Sequence, residues 1–160
     1  MNYQVDIFQK FDQGWALLTA GTPDHFNTMT VSWGAMGTIW GKPAVTVYVR
    51  QSRYTLEFMN SYDTFTISFF PEQYKKDLGI LGSRSGRDGD KIALTKLKPK
   101  AIGNAVTFEQ AETTLVCKKM YCQFMDLDAM PKAVQEQYYS DHDVHYLFIG
   151  EVTDLIEEDR

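Results

Sequence analysis

Cysteine is nearly missing. Cys117 and Cys122 are the only two in 160 residues, and their five-residue separation matches neither a C-x-x-C redox pair nor a zinc knuckle. A fold stapled by disulfides or zinc is therefore excluded, and two reduced, mostly buried thiols are expected. Proline is scarce as well: Pro23, Pro43, Pro71, Pro99 and Pro131 fall one to a connection, so no proline-rich linker divides the chain. No apolar run approaches the roughly 20 residues that span a bilayer. The opening Met1-Asn2-Tyr3-Gln4-Val5-Asp6 lacks the basic and apolar regions of a signal peptide, which points to a cytoplasmic protein without membrane contact. Positive charge is in deficit too, with 16 Lys+Arg against 21 Asp+Glu and a net charge of −5. Non-specific binding to nucleic acid or anionic lipid is disfavoured.

What remains is apolar and aromatic: 44% hydrophobic and 14% aromatic residues in one domain-sized chain. That composition folds, and it can bury a core without staples. Segments rich in β-branched and aromatic residues recur at 15–20, 28–35, 44–50, 64–70, 105–108, 113–124 and 145–155; the pattern predicts seven short strands. Between them, 53–61 behind a Ser52 N-cap, 72–81 behind Pro71 and 131–139 with Pro131 in its first turn predict helices. Strands dominate and helices decorate, which predicts a mainly β (α+β) barrel with helical insertions, one domain over 1–160. Segment 44–49 is apolar at nearly every position. Such a strand is expected to be covered on both faces, by helices or by a second subunit. The acidic tail from Glu157 onward reads as a frayed, solvated end.

Charge is unevenly spread. Residues 42–100 hold 11 basic and six acidic side chains, a stretch of +5 inside a chain of −5. A local basic zone in an acidic protein suits a small anion better than a long polyanion, although a solvated basic face explains the charge alone equally well. Two clusters in that zone set arginine among hydroxyls. Arg50-Gln51-Ser52-Arg53-Tyr54-Thr55 lies where a strand ends and a helix begins, so amides, hydroxyls and guanidinium groups can converge on a phosphate. Gly82-Ser83-Arg84-Ser85-Gly86-Arg87-Asp88-Gly89-Asp90-Lys91 combines tight turns with hydrogen-bond donors, yet contains neither a Walker loop nor a dinucleotide fingerprint. A third segment, Asn27-Thr28-Met29-Thr30-Val31-Ser32-Trp33, places Thr28, Thr30 and Ser32 on one side if it is a strand. Hydroxyls and amides there can meet the polar edge of a planar heterocycle. An ordinary solvent-facing Thr/Ser stripe would look the same.

The order of these motifs resembles a known family. Asn27-x-Met29-Thr30-x-Ser32-Trp33, Arg50-x-Ser52-Arg53-Tyr54-Thr55, Phe65-Thr66-Ile67-Ser68, Ser85-Gly86-Arg87-Asp88-x-Asp90-Lys91 and His145-Tyr146-x-x-Ile149-Gly150-Glu151-Val152 are similar to the flavin reductase-like FMN-binding split-barrel proteins, which include flavoredoxin. The resemblance implies a six-stranded antiparallel split β-barrel with peripheral helices, a homodimer, and non-covalent FMN near the subunit interface. By matched position it assigns Asn27, Thr28, Met29, Thr30, Val31, Ser32 and Trp33 to the isoalloxazine and ribityl chain. It assigns Arg50, Ser52, Arg53, Tyr54, Thr55, Ser83, Arg84, Ser85, Gly86 and Lys91 to the ribityl phosphate. It further implies hydride transfer from NAD(P)H to the flavin and on to an acceptor. A non-enzymatic electron carrier of the same fold is the alternative, and an FMN-dependent pyridoxamine phosphate oxidase is a third reading, although its usual basic substrate-phosphate site is not visible here.

A flavin carries its own redox chemistry, so no side chain has to serve as acid, base or nucleophile and none is assigned a catalytic role. His142 and His145 flank Asp143 and suggest a metal site at first sight. Their spacing suits a helix rather than the strand expected there, so no metal is assigned and the pair is placed at a pocket rim. His25, in a Thr-Pro-Asp-His run, reads as a turn residue.

Overall fold

The computed structural model describes residues 1–158. Nine strands and four α-helices make up these residues, with short 3-10 turns between them. The short helix α1 (Ile7–Asp12) starts at Asp6, whose carboxylate accepts from the Gln9 amide. Strands β1 (Ala16–Thr22), β2 (His25–Val31), β3 (Gly34–Ile39) and β4 (Lys42–Arg50) follow, then α2 (Thr55–Ser61), β5 (Thr64–Phe69) and α3 (Lys75–Ser83). The hairpin β6 (Pro99–Ile102) and β7 (Ala105–Phe108) leads to β8 (Thr113–Phe124), α4 (Lys132–Tyr138) and β9 (His145–Glu157).

Seven strands form one antiparallel sheet in the order β2-β1-β5-β8-β9-β4-β3, and β6-β7 form a separate pair. β2 and β3 are its opposite edges, yet only Ser32 and Trp33 separate Val31 from Gly34. Three Cα steps span about 11 Å at most. The sheet must therefore curl until its two edges nearly meet, and the gap between them is the split of the barrel. The expected split barrel is thus present, with seven strands in its sheet rather than six.

Inward residues of the strands build one core from Leu18, Met29, Val45, Val47, Val49, Phe65, Ile67, Leu115 and Phe148, closed at one side by Leu56, Phe58 and Met59 of α2. A second, smaller core places Leu17 against Leu78 and Leu81 of α3 and Phe108 of β7. β1 faces both cores, and its residues from Ala16 to Gly21 are all buried. Its hydroxyls are satisfied internally: Thr19 and Thr28 Oγ1 lie 2.9 Å apart, and Thr28 donates to the Leu18 carbonyl. Thr66 likewise donates to the Val106 carbonyl, which ties the β6-β7 hairpin onto β5.

Several expectations change. The segment 28–35 is not one strand: the ladder stops at Val31 and resumes at Gly34, so Ser32 and Trp33 are free to face a cavity. The helix after Arg50 begins at Thr55, and Ser52 does not cap it, because its hydroxyl and amide both donate to the Asp143 carboxylate. The helix expected from 72 starts as a 3-10 turn, Glu72–Tyr74, before α3. α1 and β6 had no clear periodic signal; each is too short to show one. On β4 the inner face (Val45, Val47, Val49) is fully buried, whereas outward Thr46 and Tyr48 are only half-buried in the single chain. Cys117 is buried and its thiol pushed well up by desolvation, but Cys122 is exposed, contrary to the expectation for the pair. The acidic end is not frayed as far as Glu158, whose amide donates to the Glu112 carbonyl; Asp159 and Arg160 lie outside the described residues. No helix among the described residues is long and apolar enough to cross a membrane.

Candidate functional site

Two cavities meet beside the split. The first, of about 230 Å³, is walled by the end of β2 (Met29, Thr30, Val31), by Ser32 and Trp33, by Tyr48 and Arg50 of β4, and by Arg53, Gly82 and His145. The second, of about 140 Å³, is walled by Asn27, Ser52, Arg53, Tyr54, Thr55, Arg84, Ser85, Gly86 and Lys91. Arg53 belongs to both walls and marks the join.

The approach of α3 and its following loop to β2 shapes both. Thr30 donates from Oγ1 to the Leu78 carbonyl at 2.5 Å, and a Cβ on Gly82 would stand 3.1 Å from the Thr30 Cβ. Farther along, a Cβ on Gly86 would lie 2.2 Å from Asn27 Oδ1, so glycine is what lets this loop close against β2. Asn27 is itself buried and donates from Nδ2 to Thr55 Oγ1 at 2.7 Å, linking β2 to α2.

The electrostatics of the second cavity are one-sided. Arg53 donates to the Gly82 carbonyl at 3.1 Å, and Lys91 donates to the Leu81 and Arg84 carbonyls at 3.1 and 3.2 Å. These are carbonyls at the C-terminal end of α3, where the helix dipole favours cations. Neither cation forms a salt bridge to another described residue. Lys91 is only 5% exposed, and burial together with the neighbouring Arg53 holds its ammonium down to about pKa 8. Burial also lowers the Arg53 guanidinium, with Asp143 opposing the shift. Two partly desolvated cations without a carboxylate partner form a place where a phosphate dianion offsets the burial cost.

Around the first cavity three wall residues carry rings, Trp33, Tyr48 and His145, beside Arg50 and Arg53. Trp33, 41% exposed, meets Tyr138 edge-on at 5.4 Å and lies 5.6 Å from the His145 ring. His145 is buried, its Nδ1 lies 2.7 Å from the Tyr139 hydroxyl, and burial with the nearby Arg50 lowers its pKa to about 4 despite Asp143. It is neutral at physiological pH. β2 is an edge strand, so alternate backbone amides along it point away from β1 and toward this side.

Not every residue assigned from the sequence meets a cavity. Asn27, Met29, Thr30, Val31, Ser32, Trp33, Arg50, Ser52, Arg53, Tyr54, Thr55, Arg84, Ser85, Gly86 and Lys91 do. Thr28 does not, since its hydroxyl is consumed inside the barrel, and Ser83 is turned back onto the Ile80 carbonyl. Arg50 borders the ring-sized cavity rather than the cationic one. Its Nη1 donates to the Tyr138 and Asp143 carbonyls, holding the excursion between β8 and β9 in place. Tyr48, Gly82 and His145 are wall residues that the motif reading did not assign to the flavin. Only His145 had a signal, and it was read as half of a partly exposed pair. In fact His142 is exposed with φ +60° while His145 is buried, and no group of three potential metal ligands occurs among the described residues. His25 opens β2 instead of sitting in the turn, against Phe58 and Tyr62.

A split barrel in which a cavity with Trp33 and Tyr48 in its wall runs into one walled by Arg53, Arg84 and Lys91 offers room for a ring beside a place for an anion. The chain belongs to the flavin reductase like domain family, whose sequence model matches residues 8–160. Solved structures agree in fold. Flavoredoxin from Methanosarcina acetivorans superposes with a TM-score of 0.72 at 21% identity, covering 99% of this chain and 74% of that one. An FMN-binding protein from Thermus thermophilus, solved with p-hydroxybenzaldehyde, gives 0.73 at 19%, covering 99% and 82%. The styrene monooxygenase flavin reductase from Pseudomonas putida gives 0.67 at 19%, covering 91% and 80%. No curated protein matches the chain.

Proposed function

We propose that this protein is an NAD(P)H-dependent flavin reductase that holds FMN without a covalent bond and works as a cytoplasmic homodimer. The observation that carries the reading is the Arg53 and Lys91 pair, in no salt bridge among the described residues, at the inner end of a cavity that Trp33 and Tyr48 help to wall. Bound there, FMN would supply the redox chemistry, taking a hydride from a reduced nicotinamide and releasing electrons to an acceptor. The chain's own contribution is positional. Arg53, Lys91, Arg84 and Ser85 hold the phosphate, with the Thr55 hydroxyl in the same wall. The outward amides of β2 and the Ser32 hydroxyl meet the polar edge of the ring, where donors favour added negative charge. Trp33 and Tyr48 shield it from water. His145, neutral and tethered to Tyr139, adds no charge near the ring.

Anaerobic mixing of FMN-loaded protein with NADH or NADPH tests the activity. Bleaching of the flavin absorbance within the turnover time is expected with at least one nucleotide. Reduction by neither, while the same protein accepts electrons from dithionite, would make it an electron carrier instead.

The homodimer is supported by apolar surface left uncovered in the single chain. Outward Thr46 and Tyr48 of β4 are half-buried, and Trp33, Met120, Tyr121 and Phe124 are 39–43% exposed. A mass in solution of twice the 18.4 kDa chain is expected; a strictly monomeric holoprotein would refute it.

A further inference from the structure

The cationic cavity forms a neck beside the ring cavity, and Ser52 stands in its wall with both of its donors already engaged by a carboxylate. Its amide donates to Asp143 Oδ1 at 3.1 Å and its hydroxyl to Asp143 Oδ2 at 2.5 Å. Two anionic oxygens accepting side by side from an amide and a hydroxyl are what a phosphate would present to the same residue. Asp143 also stands close enough to Arg53 to oppose the lowering of its pKa, yet it forms a salt bridge with neither Arg53 nor Lys91. A charge of the ligand's own sign therefore sits against the anion site.

Ser52 does not depend on Asp143 for its place. Its carbonyl accepts from Arg87 Nη1 at 3.1 Å, and Arg87 is fixed in turn by Glu57 at 3.2 Å and by the Tyr54 ring at 4.9 Å. The excursion between β8 and β9 depends on the contact far more. None of the residues of α4 is buried, so little apolar packing holds that helix down. Residues 50–52 grip it by polar contacts instead: Arg50 donates to the Tyr138 and Asp143 carbonyls, Gln51 to those of His142 and Val144, and Ser52 to the Asp143 side chain. Anchored in this way, the excursion sets Tyr138 against Trp33 in the wall of the ring cavity.

We infer that Asp143 is a built-in competitor of the ligand's phosphate: the phosphate takes the Ser52 donors from it, and the excursion that Asp143 anchors loosens as the neck fills. This rests on the flavin reading above and adds a specificity-determining residue to it. Asp143 is only half-buried, so its carboxylate can turn to water when it yields Ser52. Filling of the neck is thereby felt at Tyr138, on the rim of the ring cavity.

Isothermal titration of the apoprotein with FMN and riboflavin reads the competition. Asp143→Ala is expected to bind FMN about five- to tenfold more tightly than the native chain, because a like charge leaves and two donors are freed. Riboflavin, which has no phosphate, should change by less than about twofold. Asp143→Asn, which keeps the shape of the side chain without its charge, should shift FMN in the same direction. Hydrogen exchange on the native chain needs no substitution: the Gln135 and Tyr139 amides, bonded within the excursion, should exchange faster with FMN bound than with riboflavin bound. The inference is overturned by an FMN affinity that falls or stays level in a variant with native circular dichroism, by an equal change for both flavins, or by exchange no faster with FMN than with riboflavin. In each of those cases, native protein that binds FMN more tightly than riboflavin still upholds the phosphate site. Native protein that binds neither flavin sinks both readings.

Discussion

Arg53→Ala is expected to weaken FMN roughly 10- to 100-fold, while riboflavin, which lacks the phosphate, changes far less. The size follows from position. Arg53 stands in the walls of both cavities, is held by the Gly82 carbonyl, and is only half-exposed, so its charge acts where water screens poorly. Its partner turns the same interaction into a pH dependence. Lys91 has a pKa held to about 8 by burial and by Arg53, against an ordinary 10.5. Below pH 8 it is charged before the ligand arrives, and FMN affinity is flat down to about pH 7, where the phosphate is still a dianion. Above pH 8 the empty site has lost that proton, and binding a phosphate dianion must first restore it. Affinity for FMN therefore falls as pH rises through and beyond 8, by up to about tenfold per unit, until the raised pKa of the complex is reached. For folding alone the sign is opposite: without ligand, the charged Lys91 is a cost fully present below pH 8 and gone above about 10.5, worth about 3 kcal/mol. Lys91→Met should give an FMN affinity independent of pH between 7 and about 9.5. Titration curves for FMN and riboflavin that run parallel across that range would remove the phosphate from this neck.

Phe65→Ala should be the most damaging single change to the fold, costing about 3–5 kcal/mol in denaturant unfolding. That is a large share of the roughly 5–15 kcal/mol that holds a domain together. Phe65 is 1% exposed in the main core, and its ring lies where a Cβ on Gly150 would come within 2.5 Å of its Cζ. The absence of a side chain on β9 thus makes room for the ring from β5, across the intervening β8. Gly150→Ala alone should destabilise by overpacking, roughly 1–3 kcal/mol. In a Phe65→Leu background the added methyl has space, so the two changes should be markedly less than additive. Strict additivity would mean that the ring and the glycine do not share one volume.

The core and the site were legible to different depths. The periodic strands at 44–50, 64–70, 113–124 and 145–155 could be read because alternation and β-branching report burial locally. The +5 stretch and its two arginine clusters likewise located the cationic neck, since cations must be present in sequence before they can converge in space. Thr28 and Ser83 were indistinguishable in sequence from Ser32 and Ser85. A hydroxyl does not announce whether it faces a cavity or a carbonyl: Thr28 is spent on Leu18 and Ser83 on Ile80. Arg50 and Ser52 carried the right chemistry for a phosphate, but the excursion between β8 and β9 engages them through Tyr138 and Asp143, more than 85 residues away.

The amino-acid sequence by itself determined that this chain forms a β-rich domain without staples, and that its basic residues concentrate between positions 42 and 100 of a chain of net charge −5. Both follow from composition and short-range pattern, which need no knowledge of contacts. Only the tertiary structure decided that Lys91 is a buried cation with a lowered pKa, because that depends on the chain folding its own charge against Arg53 and out of water. Only the curl of the sheet, which brings its edge strands β2 and β3 close together in space, opened the ring cavity. And only the packing of the glycine loop against Asn27 shaped the wall of the cationic cavity, since cavities are defined by what distant segments leave unfilled.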